Sequence, residues 1–148
     1  LAQATLAEFV KRGMLEKHMK RMIRVYRKRL DVFENAMAKY LPRGVEWTRP
    51  DGGMSVWITL PPGLDAGELL IHARERGVLF VPGRYFYFEH PQTNTLRLGF
   101  ADLEERDIVQ GLAKLGTLID TEMRKKQKGG KRAMVEHPQE AKSRVALI

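Results

Sequence analysis

The feature that most constrains this chain is an unbroken stretch from Met14 to Leu41 that contains neither glycine nor proline. Apolar side chains recur along it at steps of three and four residues, which predicts one face of an amphipathic helix. Such a helix would be about 42 Å long, so we expect it to kink or to bridge to another body. Pro42 and Gly44 predict its end. The apolar positions are Met19, Met22, Ile23, Tyr26, Leu30, Phe33, Met37 and Leu41.

The rest of the chain alternates short β-rich runs with helical patterns. Asp65 is a suitable N-cap, Gly77 a suitable helix terminator, and Pro50–Gly53 a strong turn signal. This order predicts an α+β domain, a short β-sheet with helices on one side plus the long N-terminal helix. The predicted helices are 1–12, 14–41, 65–76 and 104–120, and the predicted strands are 45–48, 54–60, 78–81 and 95–100.

Charge divides the chain into three parts, although the net charge is +8 overall. Residues 1–41 carry ten basic and four acidic side chains, residues 42–121 eight and eleven, and residues 122–148 eight and three. We therefore predict helices over 1–41, a mildly acidic domain over 42–121, and a basic, solvated and mobile tail over 122–148. Nucleic-acid binding through the basic ends is one hypothesis, to be judged by its salt dependence.

Several kinds of chemistry find no support in the sequence. There are no cysteines, which excludes disulfides and thiolate chemistry and fits a reducing compartment. No apolar run approaches the length of a membrane span, and the opening residues do not resemble a secretory signal. Ser55 has no nucleophile-elbow motif around it, and there is no glycine-rich phosphate loop. No two of the four histidines are spaced as metal ligands on one helix, so no metal site is predicted: His18, His72, His90 and His137.

Arg97 is the strongest candidate for a functional residue. In the predicted strand Thr95–Phe100, alternation places Leu96, Leu98 and Phe100 on one face and Arg97 on the other. Beside a Pro-Gly loop and aromatic residues, an arginine there can hold a carboxylate with two hydrogen bonds. The alternative is a strand arginine paired with a local acid, and the residues alone leave the two readings even.

Taken in order, these segments resemble the C-terminal small domain of fold-type I pyridoxal-phosphate aminotransferases. The likeness extends over residues 1 to about 120 and is greatest to 2-aminoadipate aminotransferases and to MocR/GntR-type regulators. Ser55 stands where this branch often has histidine, and the basic tail has no counterpart there. The matching segments are His18–Met22, Tyr26–Arg29, Pro50–Met54, Ala73–Val78, Val81–Gly83 with Phe86, and Leu96–Ala101.

The resemblance implies roles for three parts of the chain. Arg97 matches the strand arginine that binds the substrate's α-carboxylate, the long helix would connect two domains, and the Pro82–Phe86 loop would shape the mouth of the active site. The Schiff-base lysine and the other cofactor-binding groups would lie in a large domain upstream. No catalytic or cofactor-binding residue is therefore assigned in this chain, which we expect to be inactive alone.

The resemblance leaves two functions open. One is a fragment, beginning at Leu1 rather than Met, of a cytoplasmic, dimeric aminotransferase that moves an amino group from an amino acid to a 2-oxo acid with pyridoxal phosphate. The other is the effector-sensing domain of a GntR/MocR-type transcription regulator, for which DNA would be a partner. An upstream winged helix–turn–helix would distinguish the regulator from the enzyme.

Overall fold

The structure is a computed structural model that describes residues 1–135, with the side chains of the last helix described as far as Gln127. It is a mixed α+β fold, as predicted, in which one long helix precedes and another follows, along the chain, the strands of a small antiparallel sheet. The elements are α1 Ala2–Lys11, α2 Met14–Tyr40, β1 Glu46–Trp47, β2 Ser55–Thr59, α3 Ala66–Glu75, β3 Val81–Pro82, a 3₁₀ turn Gly83–Phe86, β4 Thr95–Gly99 and α4 Glu105–Val135.

The four strands lie in the order β1-β2-β4-β3, and every neighbouring pair is antiparallel. Val56 and Ile58 of β2 and Leu96 and Leu98 of β4 are buried and belong to one hydrophobic core with residues from α2, α3 and α4. No helix covers the opposite face, which is open at Trp57 and Arg97 and is covered at Thr95 by the 3₁₀ turn. Helices therefore cover one face only, as the sequence predicted. The fully buried core side chains include Met37, Val56, Ile58, Leu96, Phe100, Leu115 and Ile119.

Helix α2 is continuous over its 27 residues, so the long helix does not break into two. Its buried residues are confined to the C-terminal third, where Phe33, Ala36 and Met37 enter the core. Toward its N-terminus the predicted apolar face is uncovered, because Met19 and Ile23 remain about half exposed. The helix therefore extends beyond its own core, and its bridging to another body stays a prediction.

Helix α3 begins where its capping residue predicts. One carboxylate oxygen of Asp65 accepts hydrogen bonds from the backbone N–H groups of Gly67, at 2.7 Å, and Glu68, at 3.0 Å. These bonds satisfy two donors that have no partner within the helix. At the other end, Gly77 has a φ of 72°, a conformation that favours glycine, and the helix stops there. The capping prediction is confirmed.

The third strand is displaced from its predicted place. The sequence predicts a strand over 78–81 that stops before Pro82, but β3 consists of Val81 and Pro82. Val78 and Phe80 are buried without joining the sheet, so their apolar character reflects the core rather than a strand. Pro82 is tolerated because β3 is an edge strand, where a missing N–H group does not break an interior ladder.

Helix α4 continues beyond the predicted end at residue 120. Met123 packs against the hydrophobic core, and the Lys126 ammonium donates a hydrogen bond to the carbonyl oxygen of Gly63. The first residues of the predicted basic tail are therefore helical and in contact with the rest of the structure, so the last helix is longer than predicted. Residues 136–148 lie outside the described part of the chain, and for them the mobile tail stays a prediction. Within residues 1–135, no helix combines the length and the apolar character needed to cross a bilayer.

Candidate functional site

Arg97 occupies the middle of β4, on the open face of the sheet. The register places Trp57 of β2 opposite it on one side and Val81 of β3 opposite it on the other. Leu96 and Leu98 on either side point into the core, while the Arg97 side chain is exposed. The predicted alternation of this strand is confirmed, and it directs the guanidinium away from the core.

A cavity of about 540 Å³ lies beside Arg97 on this face. Arg97 is the only cationic side chain among the described residues that line it, and Asp102 is the only anionic one. The remaining wall is largely apolar, with one hydroxyl group from Ser55. A concave, mostly apolar space with a few polar groups is the usual form of a small-molecule site. Its other lining residues are Met54, Leu79, Phe80, Val81, Gly99, Ala101 and Leu103.

Arg97 contacts one aromatic ring, which in turn contacts a second. The guanidinium carbon of Arg97 lies 4.9 Å from the centroid of the Phe86 ring, within the range of a cation–π contact. Phe86 in turn meets Trp57 edge-on, with ring centroids 5.6 Å apart and an interplanar angle of 75°. Arg97 therefore lies against an aromatic wall, with the cavity beside it.

Arg97 makes no ion pair with any acid in residues 1–127, because none of the described carboxylates comes within 4.0 Å of its nitrogens. The described ion pairs belong to other residues and are mostly exposed. Glu8, Glu16 and Asp120, for example, pair with basic residues four positions away on the same helix. The alternative of a strand arginine neutralised by a neighbouring acid therefore finds no support in the described structure.

Arg84 lies on the turn that carries Phe86, and its surroundings differ from those of Arg97. Its guanidinium donates a hydrogen bond to the Tyr85 hydroxyl at 3.4 Å and lies over the Tyr85 ring. That hydrogen bond, followed by the charge interaction with Tyr85, raises the pKa of Arg84 above its ordinary value. Arg84 is exposed and does not line the cavity, whereas Arg97 does.

The other residues considered from the sequence form no catalytic or metal-binding arrangement among the described residues. Ser55 lies on the cavity wall, but no histidine lines that cavity among the described residues. His72 lies on α3 beside Glu75, and no group of three potential metal ligands occurs in the described part of the chain. His137 falls outside the described residues. Along α2, Lys20 and Lys28 are paired with Glu16 and Glu105, as expected for a solvated helix face.

Sequence reasoning found Arg97 and the aromatic loop but missed two neighbours. Trp57 and Asp102 were singled out by no motif, although Trp57 lies opposite Arg97 in the sheet register. Alternation along β2 places Trp57 on the open face, but pairing β2 with β4 requires the tertiary structure. Asp102 follows the strand in a loop, and no sequence periodicity predicts where its side chain lies.

Comparison with known proteins gives relatives with named activities, although no family model matches the chain. The chain is 39% identical over 124 residues to aromatic-amino-acid aminotransferase 1 of Thermococcus litoralis, covering 84% of this chain and 30% of that protein. It is also 35% identical over 114 residues to an uncharacterised HTH-type transcriptional regulator of Bacillus subtilis, covering 77% and 25%.

A solved structure agrees with these relatives. The α-aminoadipate aminotransferase of Thermus thermophilus, crystallised with N-(5'-phosphopyridoxyl)-L-leucine, matches with a TM-score of 0.72 and 39% sequence identity. The match covers 77% of this chain and 29% of that one. The chain thus spans about 30% of the length of the curated relatives.

Proposed function

The chain is a segment of the fold-type I aminotransferase family, and we propose that Arg97 binds the α-carboxylate of an amino-acid substrate while its amino group is transferred to a 2-oxo acid. The observation that carries this proposal is an arginine on the open face of the sheet that borders a cavity and forms no ion pair within residues 1–127. Amino-group transfer is proposed as the reaction because relatives of this chain are named as aminotransferases.

The chemistry of the guanidinium suits this role. It is planar and permanently charged, and its N–H groups match a carboxylate in a two-bond arrangement that a lysine ammonium cannot reproduce. Held at one end by Arg97, a substrate would extend along the apolar cavity wall formed by residues such as Leu79 and Leu103. Binding at the carboxylate orients the substrate and leaves its amino group available for reaction.

The family uses pyridoxal phosphate, which supplies the electron sink for amino-group transfer when it is bound. No lysine lines the cavity among the described residues, and its one arginine fits the substrate's carboxylate. The residues present therefore fit the substrate side of the site rather than the aldehyde or phosphate of the cofactor. We propose that those groups bind outside this segment, and that residues 1–148 alone do not transfer amino groups.

The whole protein would then be a cytoplasmic enzyme in which this segment completes a site built by a larger domain. We propose that the enzyme is a homodimer, as is typical of the resembled family. The partners of the site are an amino acid and a 2-oxo acid.

Arg97→Ala in the full-length protein tests this role. Bound pyridoxal phosphate absorbs visible light, so an amino acid can be titrated by the change in the spectrum. Loss of charge-assisted hydrogen bonds should weaken binding by roughly 2–3 kcal/mol, or about a hundredfold. Arg97→Lys should recover only part of the affinity, because it keeps the charge but loses the planar fork.

Arg84→Ala is the matched control, because it removes an exposed arginine from the neighbouring turn. It should bind the amino acid as the unaltered protein does. Equal affinity in Arg97→Ala and the unaltered protein would refute the role of Arg97. A full-length protein that stays colourless when supplied with pyridoxal phosphate would refute the enzymatic function.

A second candidate function is an effector-sensing domain of a GntR/MocR-type regulator, favoured by the similarity to the HTH-type regulator of Bacillus subtilis. Arg97 would then hold the carboxylate of an effector without transfer of its amino group. A winged helix–turn–helix upstream, together with DNA binding that changes on adding the amino acid, would support the regulator. Amino-group transfer by a protein without such a domain would support the enzyme.

A further inference from the structure

The orientation of Arg97 before any ligand arrives needs an explanation. An arginine side chain has many rotamers, and an exposed guanidinium without a partner samples several of them. No described acid pairs with Arg97, so an ion pair within residues 1–127 does not select one. Its guanidinium does contact an aromatic ring, that of Phe86, whose centroid lies 4.9 Å from the guanidinium carbon.

An aromatic ring restrains a guanidinium differently from a carboxylate. A carboxylate would use the N–H groups and compete with a substrate for them. The ring attracts the cation through its π-electrons and leaves the N–H groups available for hydrogen bonds. Contact with Phe86 therefore orders Arg97 without using the groups that a ligand's carboxylate needs.

Phe86 is itself held from two directions. Its ring meets Trp57 edge-on at 5.6 Å, and Trp57 is the cross-strand neighbour of Arg97. Its backbone ends the 3₁₀ turn that begins at Gly83, where a Cβ would overlap the Thr95 side chain. Thr95 lies two residues before Arg97 on β4 and is fully buried. The turn that carries Phe86 is thus held against β4, on the same face of the sheet as Arg97.

We propose that Phe86 is a positioning residue that preorders the Arg97 guanidinium for carboxylate binding. The proposal rests on the proposed function, because it concerns the same carboxylate site. Ordering the guanidinium in the free protein reduces the entropy lost on binding, and so raises affinity for carboxylates without a contact between Phe86 and the ligand. A ligand without a carboxylate should gain nothing from Phe86.

The test uses Phe86→Leu in the full-length protein with L-phenylalanine and 2-phenylethylamine, which is the same molecule without its carboxylate. Phe86→Leu should weaken L-phenylalanine binding about three- to tenfold, in keeping with a partly exposed cation–π contact. Binding of 2-phenylethylamine should not change. Phe86→Tyr keeps an aromatic face and should restore affinity, and Phe88→Leu, at a fully exposed position in the next loop, is the matched control.

A double-mutant cycle separates positioning from general damage to the turn. Once Arg97→Ala has removed the guanidinium, Phe86→Leu should cause no further loss of L-phenylalanine affinity. A further loss of the same size, or an equal loss for 2-phenylethylamine, would overturn the positioning role. Unchanged affinity in Phe86→Leu would do the same.

The outcomes also distinguish this inference from the function on which it rests. If Arg97→Ala weakens L-phenylalanine binding and Phe86→Leu does not, only the positioning role is overturned. If Arg97→Ala leaves the affinity unchanged, the carboxylate site itself is refuted, and the positioning role with it. The positioning role is supported if both single variants lose affinity for L-phenylalanine but Phe86→Leu keeps its affinity for 2-phenylethylamine. The double variant should then bind L-phenylalanine no more weakly than Arg97→Ala.

Discussion

The backbone carbonyl oxygen of Tyr40, at the end of α2, lies directly against Gly116 of α4, in the space that a Cβ on Gly116 would occupy. The two long helices meet there at backbone distance, and Gly116 is buried. Gly116→Ala forces the helices apart, and we expect it to lower the free energy of unfolding by about 1–3 kcal/mol. Urea denaturation of the chain, compared with the unaltered protein, measures this change.

Gly111→Ala is the control for that variant, because it lies one to two turns away on the same helix with no atom within 4 Å of an added Cβ. There the higher helix propensity of alanine should dominate and raise stability by up to about 1 kcal/mol. Opposite signs for the two glycines would show that close packing, not helix propensity, sets the effect at Gly116. Similar effects at both would contradict the close approach.

Phe33 joins the long helix to the sheet through its contact with Phe100, with ring centroids 5.7 Å apart. Both rings are almost fully buried. Phe33→Ala should cost about 3–5 kcal/mol, the usual loss for removing a buried aromatic ring. Phe88→Ala removes the same group from a fully exposed position and should change stability by less than about 0.5 kcal/mol. Thermal or urea unfolding of both variants measures the two changes in the free energy of unfolding. Equal changes would contradict the burial of Phe33 in the core.

Asp65 starts α3 by accepting two backbone hydrogen bonds through one carboxylate oxygen. Replacing it with alanine leaves those donors without their partner and should reduce stability by about 1 kcal/mol. Asp65→Asn keeps a side-chain acceptor at the same position, so it should restore most of the loss. The order of denaturation midpoints tests the cap, and an alanine variant as stable as the asparagine variant would argue against it.

Gly83 packs so closely on the buried Thr95 side chain that an added Cβ would overlap its hydroxyl oxygen. Gly83→Ala should therefore both destabilise the chain, by about 1–3 kcal/mol, and shift the turn that carries Phe86. In the full-length protein, the second effect should appear as weaker binding of an amino acid at the site proposed for Arg97. Gly52→Ala, where nothing lies within 4 Å, should leave both properties nearly unchanged. Normal stability of Gly83→Ala would contradict the packing.

Local signals in the sequence determined much of this fold. The 3.6-residue periodicity of α2, the Asp65 cap and the alternation through Arg97 all appear where the residues predict them. Each depends on neighbours a few positions away, so the chain itself carries the information. The same alternation led to Arg97, which borders the cavity described above.

Only the tertiary structure decided which segments meet. Strand β3 formed at Val81–Pro82 because an edge position tolerates proline, while the apolar Val78 and Phe80 were taken up by the core. Helix α4 continues past residue 120, where Met123 packs against the hydrophobic core. Phe86 contacts Arg97 because β4 pairs with β2 and because Gly83, which has no Cβ, packs closely on the Thr95 side chain. Both relationships join residues that are distant in sequence. Sequence periodicity selects the face on which a side chain lies, but long-range packing selects its neighbours.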